Sequence, residues 1–168
     1  LWADSPVIIA KSKAVQCGVR NAYHQPEKLG VDRWLALIAV QNFYQQAACI
    51  VDCGTAITVD LIEADGRHLG GMISPGLALM KQALSTGTQQ LPYSGQNYIA
   101  GLSNNTLAGI DSGTLFAACG LIERVTALQS SAVQLILTGG DAAHIAAQLA
   151  CACIVDDNLV LRGLSCVA

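Results

Sequence analysis

The residues that could act on a phosphate group are concentrated at a few points of the sequence, and the first is an Asp-Arg pair. Asp32 and Arg33 follow Gly30 at the predicted start of a helix. A carboxylate at this position could accept a proton from a substrate hydroxyl during phosphoryl transfer. The arginine could hold an anionic group through its guanidinium fork. The alternative is a local ion pair at a helix N-terminus with no chemical role.

Three glycine-containing turns follow, each at the end of an apolar run. They are Asp52-Cys53-Gly54-Thr55, the segment from Gly70 to Gly76, and Thr138-Gly139-Gly140-Asp141. Glycine lets the backbone approach a phosphate closely, and a threonine hydroxyl can donate a hydrogen bond to it. A neighbouring carboxylate can hold a cation that neutralises phosphate charge. Each turn alone could be an ordinary connection, but the set together favours nucleotide binding.

Periodicity predicts the elements that position these turns. Alternating or continuous apolar runs predict strands over Ser5–Ala10, Ala48–Asp52, Ala56–Glu63, His68–Ile73, Gln134–Leu137 and Cys153–Val155. Helical spacing and caps predict helices over Asp32–Gln46, Gly76–Ser85, Thr106–Leu128, Asp141–Ala150 and Leu159–Ala168, and loops over Gly18–Gly30 and Thr86–Asn105. From residue 48 onward this is the order of a ribonuclease-H-like α/β domain, with a mixed five-stranded sheet and flanking helices.

Composition limits the class of protein. The 168 residues are 52% hydrophobic and only 12% charged, with a net charge of −3, which excludes disorder and a long coiled coil. The negative charge argues against binding to nucleic acid or to an anionic membrane. No apolar run approaches the length of a membrane span.

Cysteine and histidine usage predicts no metal cluster. The seven cysteines lie mostly in apolar surroundings, so we expect buried free thiols in a reducing compartment. His24, His68 and His144 have no metal-ligand spacing, which predicts surface or strand-end side chains.

The ordered motifs resemble those of type III pantothenate kinases. They are Tyr23, Leu29 to Trp34, Asp52 to Asp60, Gly70 to Gly76, Asn105-Thr106 and Thr138 to Asp141. The resemblance implies an actin-like ATPase fold and phosphorylation of pantothenate by ATP, the first step of coenzyme A synthesis. It also implies a cytoplasmic homodimer that uses K⁺ or NH₄⁺ alongside Mg²⁺.

The same resemblance implies roles for individual residues. Asp32 would be the proton acceptor and Asp52 the ligand of the monovalent cation. The remaining residues would bind substrates: Tyr23, Gly30, Val31, Asp32 and Arg33 for pantothenate, Thr106 for pantothenate across the dimer interface, Thr55 for the ATP phosphates, and Gly139 and Gly140 for adenosine.

One departure from the family pattern sets the expected domain organisation. Members begin with a strand and an Asp-x-Gly-Asn-Thr phosphate loop, which these 168 residues do not contain. We therefore interpret residues 1–46 as the C-terminal part of a first actin-like domain and residues 47–168 as the second, ribonuclease-H-like domain. We expect this segment alone to bind ATP poorly and to aggregate. Two alternatives stay open: a non-catalytic regulatory relative of the same fold, and a kinase of another small hydroxylated substrate.

Overall fold

One mixed five-stranded sheet organises the computed structural model, which describes residues 7, 9–88, 90–95, 98–129 and 132–168. Its strands are β3 (Ala48–Cys53), β4 (Ala56–Ile62), β5 (His68–Pro75), β6 (Gln134–Thr138) and β7 (Ile154–Val155), after a small hairpin of β1 (Val15–Gln16) and β2 (Val19–Arg20). The order across the sheet is β5-β4-β3-β6-β7. Strands β3, β4 and β5 pair antiparallel, whereas β6 pairs parallel with both β3 and β7. The mixed five-stranded sheet and its three antiparallel first strands are as predicted.

In the described part of the chain, five α-helices cover both faces of the sheet: α1 (Val31–Ala39), α2 (Leu77–Gly87), α3 (Thr106–Ala127), α4 (Ala142–Ala146) and α5 (Leu159–Ser165). Alternate side chains of β3 point to opposite faces, since strand side chains alternate. Cys49 and Val51 pack with α2, α3 and α4, while Ile50 packs with α1 and α5. The long helix α3 begins as predicted, because the side chain of Asn105 accepts a hydrogen bond from the backbone N–H of Ala108 at 3.0 Å.

Two predicted helices, the first helix and α4, differ in extent from the prediction, and each difference has a local cause. The first helix ends as an α-helix at Ala39 and continues as a π-helical turn over Val40–Tyr44. The side chain of Asn42 donates to the carbonyl of Ile38 at 2.8 Å, which competes with the regular backbone pattern. Helix α4 is shorter than predicted, because after Ala146 the chain tightens into i to i−3 hydrogen bonds. The backbone N–H of Ala150 instead donates to Glu123 on α3 at 2.9 Å.

The N-terminal predictions are partly wrong. The predicted loop over Gly18–Gly30 contains β2 and a 3₁₀ turn over Pro26–Lys28. Cys17 and Gly18 both have positive φ, at 48° and 82°, which matches a two-residue hairpin turn between β1 and β2. Of the predicted strand Ser5–Ala10, residues 7, 9 and 10 have no regular structure, and the other three lie outside the described residues.

All seven cysteines are free, as predicted. Cys49, Cys53 and Cys119 are buried and the other four are half-buried. Burial raises the pKa of Cys49 to about 11 and that of Cys53 to about 12, so both stay protonated near neutral pH. No helix in the described part of the chain is long and apolar enough to cross a membrane.

Helix α1 belongs to the predicted first domain, and it packs on the sheet of the second. Trp34, Leu37 and Ile38 are fully buried in a cluster with Ile50, Ile62 and Ile136. A glycine in α5 allows this packing, because a β-carbon at Gly163 would collide with the backbone of Leu35. The boundary at residue 46 stays a prediction.

Candidate functional site

Two neighbouring parallel strands end side by side, and this brings two of the glycine turns together. Asp52 of β3 pairs with Thr138 of β6, so the turns that follow both strands start at the same sheet edge. The backbone N–H of Asp141 donates to the carbonyl of Cys53 at 3.0 Å. The two turns identified in the sequence, at Asp52 and at Gly139-Gly140, are therefore in contact in the folded chain.

The third glycine turn joins the same edge. The backbone N–H of Gly76 donates to the carbonyl of Thr55 at 2.9 Å. A β-carbon at residue 76 would overlap the backbone of Gly54 and Thr55, which explains the need for glycine there. Thr55 and Gly140 are exposed at this edge and Gly139 is half-buried, so a ligand can reach all three.

Asp52 lies at the base of this arrangement, half-buried. A β-carbon at Gly139 would stand 2.5 Å from Oδ1 of Asp52, and one at Gly54 would stand 3.6 Å from the same oxygen. Burial raises the pKa of Asp52, and the nearby charge of Asp32 raises it further. The charge of Asp32 therefore acts on Asp52, although the two residues stand 20 positions apart in the sequence.

Asp32 lies in the first turn of α1, where a carboxylate interacts favourably with the helix dipole. Its Oδ1 accepts the backbone N–H of Arg33 at 2.8 Å, and the residue is exposed. Gly30 precedes the helix with φ −53° and ψ 136°, a conformation open to any residue. Glycine at this position leaves room for the Asp32 carboxylate, because a β-carbon there would stand 2.6 Å from Oδ1 of Asp32. Val31 is 42% exposed beside it.

Arg33 and Tyr23 form a cluster behind Asp32. Nε of Arg33 donates to Oδ2 of Asp60 and Nη2 donates to Oδ1, both at 2.7 Å, and Nη1 donates to Oη of Tyr23 at 2.9 Å. The guanidinium fork that the sequence suggested for an anionic ligand is thus engaged by Asp60. Direct contact of Arg33 with substrate stays a prediction.

Thr106 lies on a different helix from Asp32. It begins α3, on the sheet face opposite α1, and is exposed. It lines an apolar groove of about 560 Å³ between α2 and α3, together with Pro75, Met80 and Gly113.

Two residues of the cluster escaped the sequence reasoning. Asp60 appeared as the polar partner in an alternating strand, yet it is 3% exposed because α1 covers that face of the sheet. His68, predicted as a surface or strand-end residue, does begin β5 but is 2% exposed, and its Nε2 lies 2.9 Å from Oδ1 of Asp60. The signal in the sequence that could have revealed this cluster was the Asp32-Arg33 pair together with a carboxylate inside a predicted strand.

Tyr98 is a further missed residue at the Gly139-Gly140 turn. Its hydroxyl donates to Oδ1 of Asp141 at 2.6 Å, and its ring stacks on His144 at 3.8 Å between centroids. The hydrogen bond to Asp141 is the main cause that raises the pKa of Tyr98 to about 12. The loop before α3 is therefore attached to the turn predicted to face adenosine.

Comparison with known proteins decides the family. The model of the type III pantothenate kinase family matches residues 1–128. The chain belongs to the type III pantothenate kinase family. A type III pantothenate kinase of Nitrosococcus oceani is 43% identical over 177 residues, a match that covers 99% of this chain and 66% of that protein. This chain thus spans about two thirds of the length of the curated type III pantothenate kinases that it matches.

Solved structures confirm the fold expected for a type III pantothenate kinase. A Campylobacter jejuni protein assigned to the Baf family of transcriptional activators is 28% identical, with a TM-score of 0.67 over 88% of this chain and 65% of that one. The activator of 2-hydroxyisocaproyl-CoA dehydratase from Clostridium difficile, solved with bound ADPNP, has a TM-score of 0.52 at 15% identity. It covers 87% of this chain and 68% of that chain, and at this identity it shows the shared actin-like ATPase fold alone.

Proposed function

We propose that this chain provides the catalytic base and the acceptor site of an enzyme that phosphorylates pantothenate with ATP. The observation that carries the proposal is the meeting of three glycine turns at one sheet edge around Asp52, a carboxylate whose pKa the charge of Asp32 helps to raise. Membership of the type III pantothenate kinase family supports the reaction and its place at the start of coenzyme A synthesis. We place the protein in the cytoplasm, in keeping with its free thiols.

In this proposal Asp32 is the general base. The primary hydroxyl of pantothenate attacks the γ-phosphorus of ATP, its proton passes to the Asp32 carboxylate, and the bond to the leaving ADP oxygen breaks. Asp32 is exposed and accepts one hydrogen bond, from the N–H of Arg33, so its other oxygen can reach a substrate. The carboxylate is held on the first turn of a helix with a buried face, which gives the reaction the fixed geometry that phosphoryl transfer requires.

The turns at the sheet edge would receive ATP. Thr55 would donate its hydroxyl to the phosphates, and Gly139 and Gly140 would leave room for the adenosine. Among the described residues no Lys, Arg or His side chain pairs with Asp32 or Asp52 within 4 Å, and no group of three or more metal-ligating side chains occurs. Two uncompensated carboxylates suit hard cations such as K⁺, NH₄⁺ or Mg²⁺, with Asp52 as ligand. Such cations would neutralise phosphate charge.

We also propose a homodimer in which Thr106 completes the pantothenate site of the partner subunit. Support comes from the position of Thr106 on the face opposite Asp32, beside the apolar groove of α2 and α3. The residue ranges 1–46 and 47–168 would be the end of the first actin-like domain and the second domain, with the active site between them.

The Asp32→Asn variant tests the catalytic assignment. Pantothenate-dependent ATP turnover should fall by about 100-fold or more, since general bases contribute on the order of 10² to 10⁴ in rate. Pantothenate binding, measured by calorimetry, should persist. The assay uses the natural full-length protein, with the exposed variant Asp65→Asn as control. Unchanged turnover in Asp32→Asn would remove Asp32 from this role.

A regulatory role is the second candidate, because the Campylobacter jejuni relative is assigned to a family of transcriptional activators. A regulator without kinase activity has no need to bind pantothenate. Calorimetric titration with pantothenate therefore separates the two functions. A kinase of another hydroxylated substrate would show itself in a panel of sugars and hydroxy acids, if one of them displaced pantothenate as the best acceptor.

A further inference from the structure

A buried hydrogen-bonded network centred on Asp60 lies behind the proposed acceptor site. Both oxygens of Asp60 are engaged, Oδ2 by Nε of Arg33, and Oδ1 by Nη2 of Arg33 and Nε2 of His68. The side chains of all three residues are 5% exposed or less. Burial opposes ionisation of Asp60, but the hydrogen bonds from His68 and Arg33 outweigh it and lower the pKa of Asp60. Asp60 is therefore a charged carboxylate, and both of its oxygens accept hydrogen bonds.

The proton on His68 can be assigned from its partners. Nδ1 faces the backbone N–H of Ala22 at 3.3 Å and so acts as an acceptor. Nε2 then carries the hydrogen and donates it to Asp60. His68 also stacks on the ring of Tyr23, with centroids 6.3 Å apart and planes 17° from parallel. His68 thus connects the backbone before Tyr23, the Tyr23 ring and the central carboxylate.

Arg33 links the Asp60 carboxylate to the hydroxyl of Tyr23 through hydrogen bonds. Because Nη1 of Arg33 donates to Oη of Tyr23, that oxygen is the acceptor and its own proton points elsewhere. The structure records no other hydrogen bond at Oη among the described residues. Tyr23 lines an open cleft of about 500 Å³ with Lys28, Gly70 and Gly71, so a ligand can enter beside it.

Gly71 shows how tightly the network is enclosed. A β-carbon at this position would stand 2.5 Å from Nη2 of Arg33 and would overlap the carboxylate of Asp60. The edge strand β5 therefore lies directly over the ion pair and leaves no room for a side chain at residue 71.

We propose that Asp60 and His68 are positioning residues for the acceptor substrate. They fix Arg33, and Arg33 in turn directs the hydroxyl proton of Tyr23 toward an acceptor oxygen of the substrate, either an amide carbonyl or a carboxylate. The inference rests on the proposed function and adds to it a specific device for acceptor recognition. It assigns Arg33 to orienting Tyr23, in addition to any contact with substrate.

Two polar substitutions of His68 test the inference. In His68→Gln the amide nitrogen can reach the position of Nε2 and keep the hydrogen bond to Asp60. In His68→Asn the amide reaches only the Nδ1 position, so the contact with Ala22 can persist while that with Asp60 is lost. We expect His68→Asn to raise the KM for pantothenate about tenfold, the size expected for one misplaced hydrogen bond, with the KM for ATP unchanged. His68→Gln should retain near-wild-type values.

A double-mutant cycle with Tyr23→Phe shows whether the effect passes through Tyr23. In the Tyr23→Phe background, His68→Asn should add little to the KM for pantothenate. The proposal would be overturned if the effects of His68→Asn and Tyr23→Phe on the KM for pantothenate multiplied in the double variant. It would also be overturned if His68→Asn and His68→Gln had the same KM for pantothenate. The neighbouring variant Arg67→Gln, which breaks an exposed ion pair with Glu63, is the matched control.

The outcomes separate the two levels of the argument. A wild-type protein without pantothenate-dependent turnover or pantothenate binding overturns the proposed function and this inference with it. An active wild type whose His68→Asn variant keeps its KM for pantothenate overturns the inference alone. If His68→Asn failed to fold, Asp60→Asn with Tyr23→Phe would complete the same cycle.

Discussion

The carboxylate of Asp52 lies directly against Gly139, with room for a hydrogen at that position and none for a methyl group. A β-carbon there would stand 2.5 Å from Oδ1 of Asp52, and the residue has φ of +93°. Both the backbone conformation and the close approach require glycine. The turn after β6 and the Asp52 carboxylate near the end of β3 therefore depend on each other's geometry.

Gly139→Ala should accordingly destabilise the protein by about 1–3 kcal/mol, the cost of a strained left-handed residue. Urea unfolding measures this directly. Gly140→Ala is the matched control for stability, because a β-carbon at Gly140 meets nothing within 4 Å. Equal stabilities of the two variants would contradict the close contact with Asp52.

Gly30→Ala should separate catalysis from stability. The backbone at Gly30 suits alanine, so the melting temperature should change little. The new methyl group would displace the Asp32 carboxylate, and we expect kcat to fall by about 10- to 100-fold, as misplacement of reacting groups does. Gly87→Ala, at the end of α2 with open space around it, should leave kcat unchanged. A fully active Gly30→Ala protein would show that the Asp32 carboxylate does not have to occupy its observed position.

Asp60→Asn should lower the free energy of unfolding by about 3–5 kcal/mol at pH 7, because it leaves Arg33 buried without its charged partner. The pKa of Asp60 is lowered in the folded state, so its stabilising effect is complete above the ordinary carboxyl pKa of about 3.9. The effect is lost as the pH falls through the lower, folded-state value.

The difference between wild type and Asp60→Asn should therefore be constant from pH 8 to pH 5 and shrink below pH 4. Urea unfolding across this range measures it. The exposed pair Asp65 and Arg20 provides a control, since Asp65→Asn should have a small effect at any pH. A difference that does not shrink in acid would show that Asp60 contributes packing rather than charge.

Gly113→Arg should block the proposed dimer. Gly113 lines the groove between α2 and α3, and a side chain there has open space in the single chain. The variant should fold with a slight gain in stability, because glycine inside a helix costs about 1 kcal/mol. Light scattering should show a dimer for wild type and a monomer for Gly113→Arg. Gly120→Arg, on the same helix outside the groove, should stay dimeric; a monomeric wild type at micromolar concentration would contradict the interface.

The sequence predicted the sheet and the glycine turns well because their signals are local. Strands β3, β4 and β6 each have a period-two or continuous apolar pattern, and each turn carries its own glycine. Parallel pairing of β3 with β6 then follows from the fold class, which places Asp52 beside Gly139. The Asn105 cap and the length of α3 were legible for the same reason.

The surroundings of Asp60 and His68 could not be predicted in this way. An alternating pattern shows that a side chain points away from one core, but it does not show which residues cover the other face of the strand. The second face of the sheet is covered by α1, whose sequence lies before the strands and encloses Asp60 only after folding. The engagement of the Arg33 fork by Asp60 depends on the same long-range contact. The π-helical turn and the short length of α4 were not predicted for a similar reason, because hydrogen bonds of the Asn42 and Glu123 side chains alter the backbone pattern.

The placement of Asp32 and Thr106 on opposite faces of one sheet has a genetic consequence. If each active site takes Asp32 from one subunit and Thr106 from the other, two inactive variants can complement each other. A mixture of Asp32→Asn and Thr106→Val subunits would form hybrid dimers with one site carrying both defects and one site intact. With random exchange of subunits in a two-fold dimer, roughly a quarter of all sites would regain full activity, although each parent variant alone is strongly impaired.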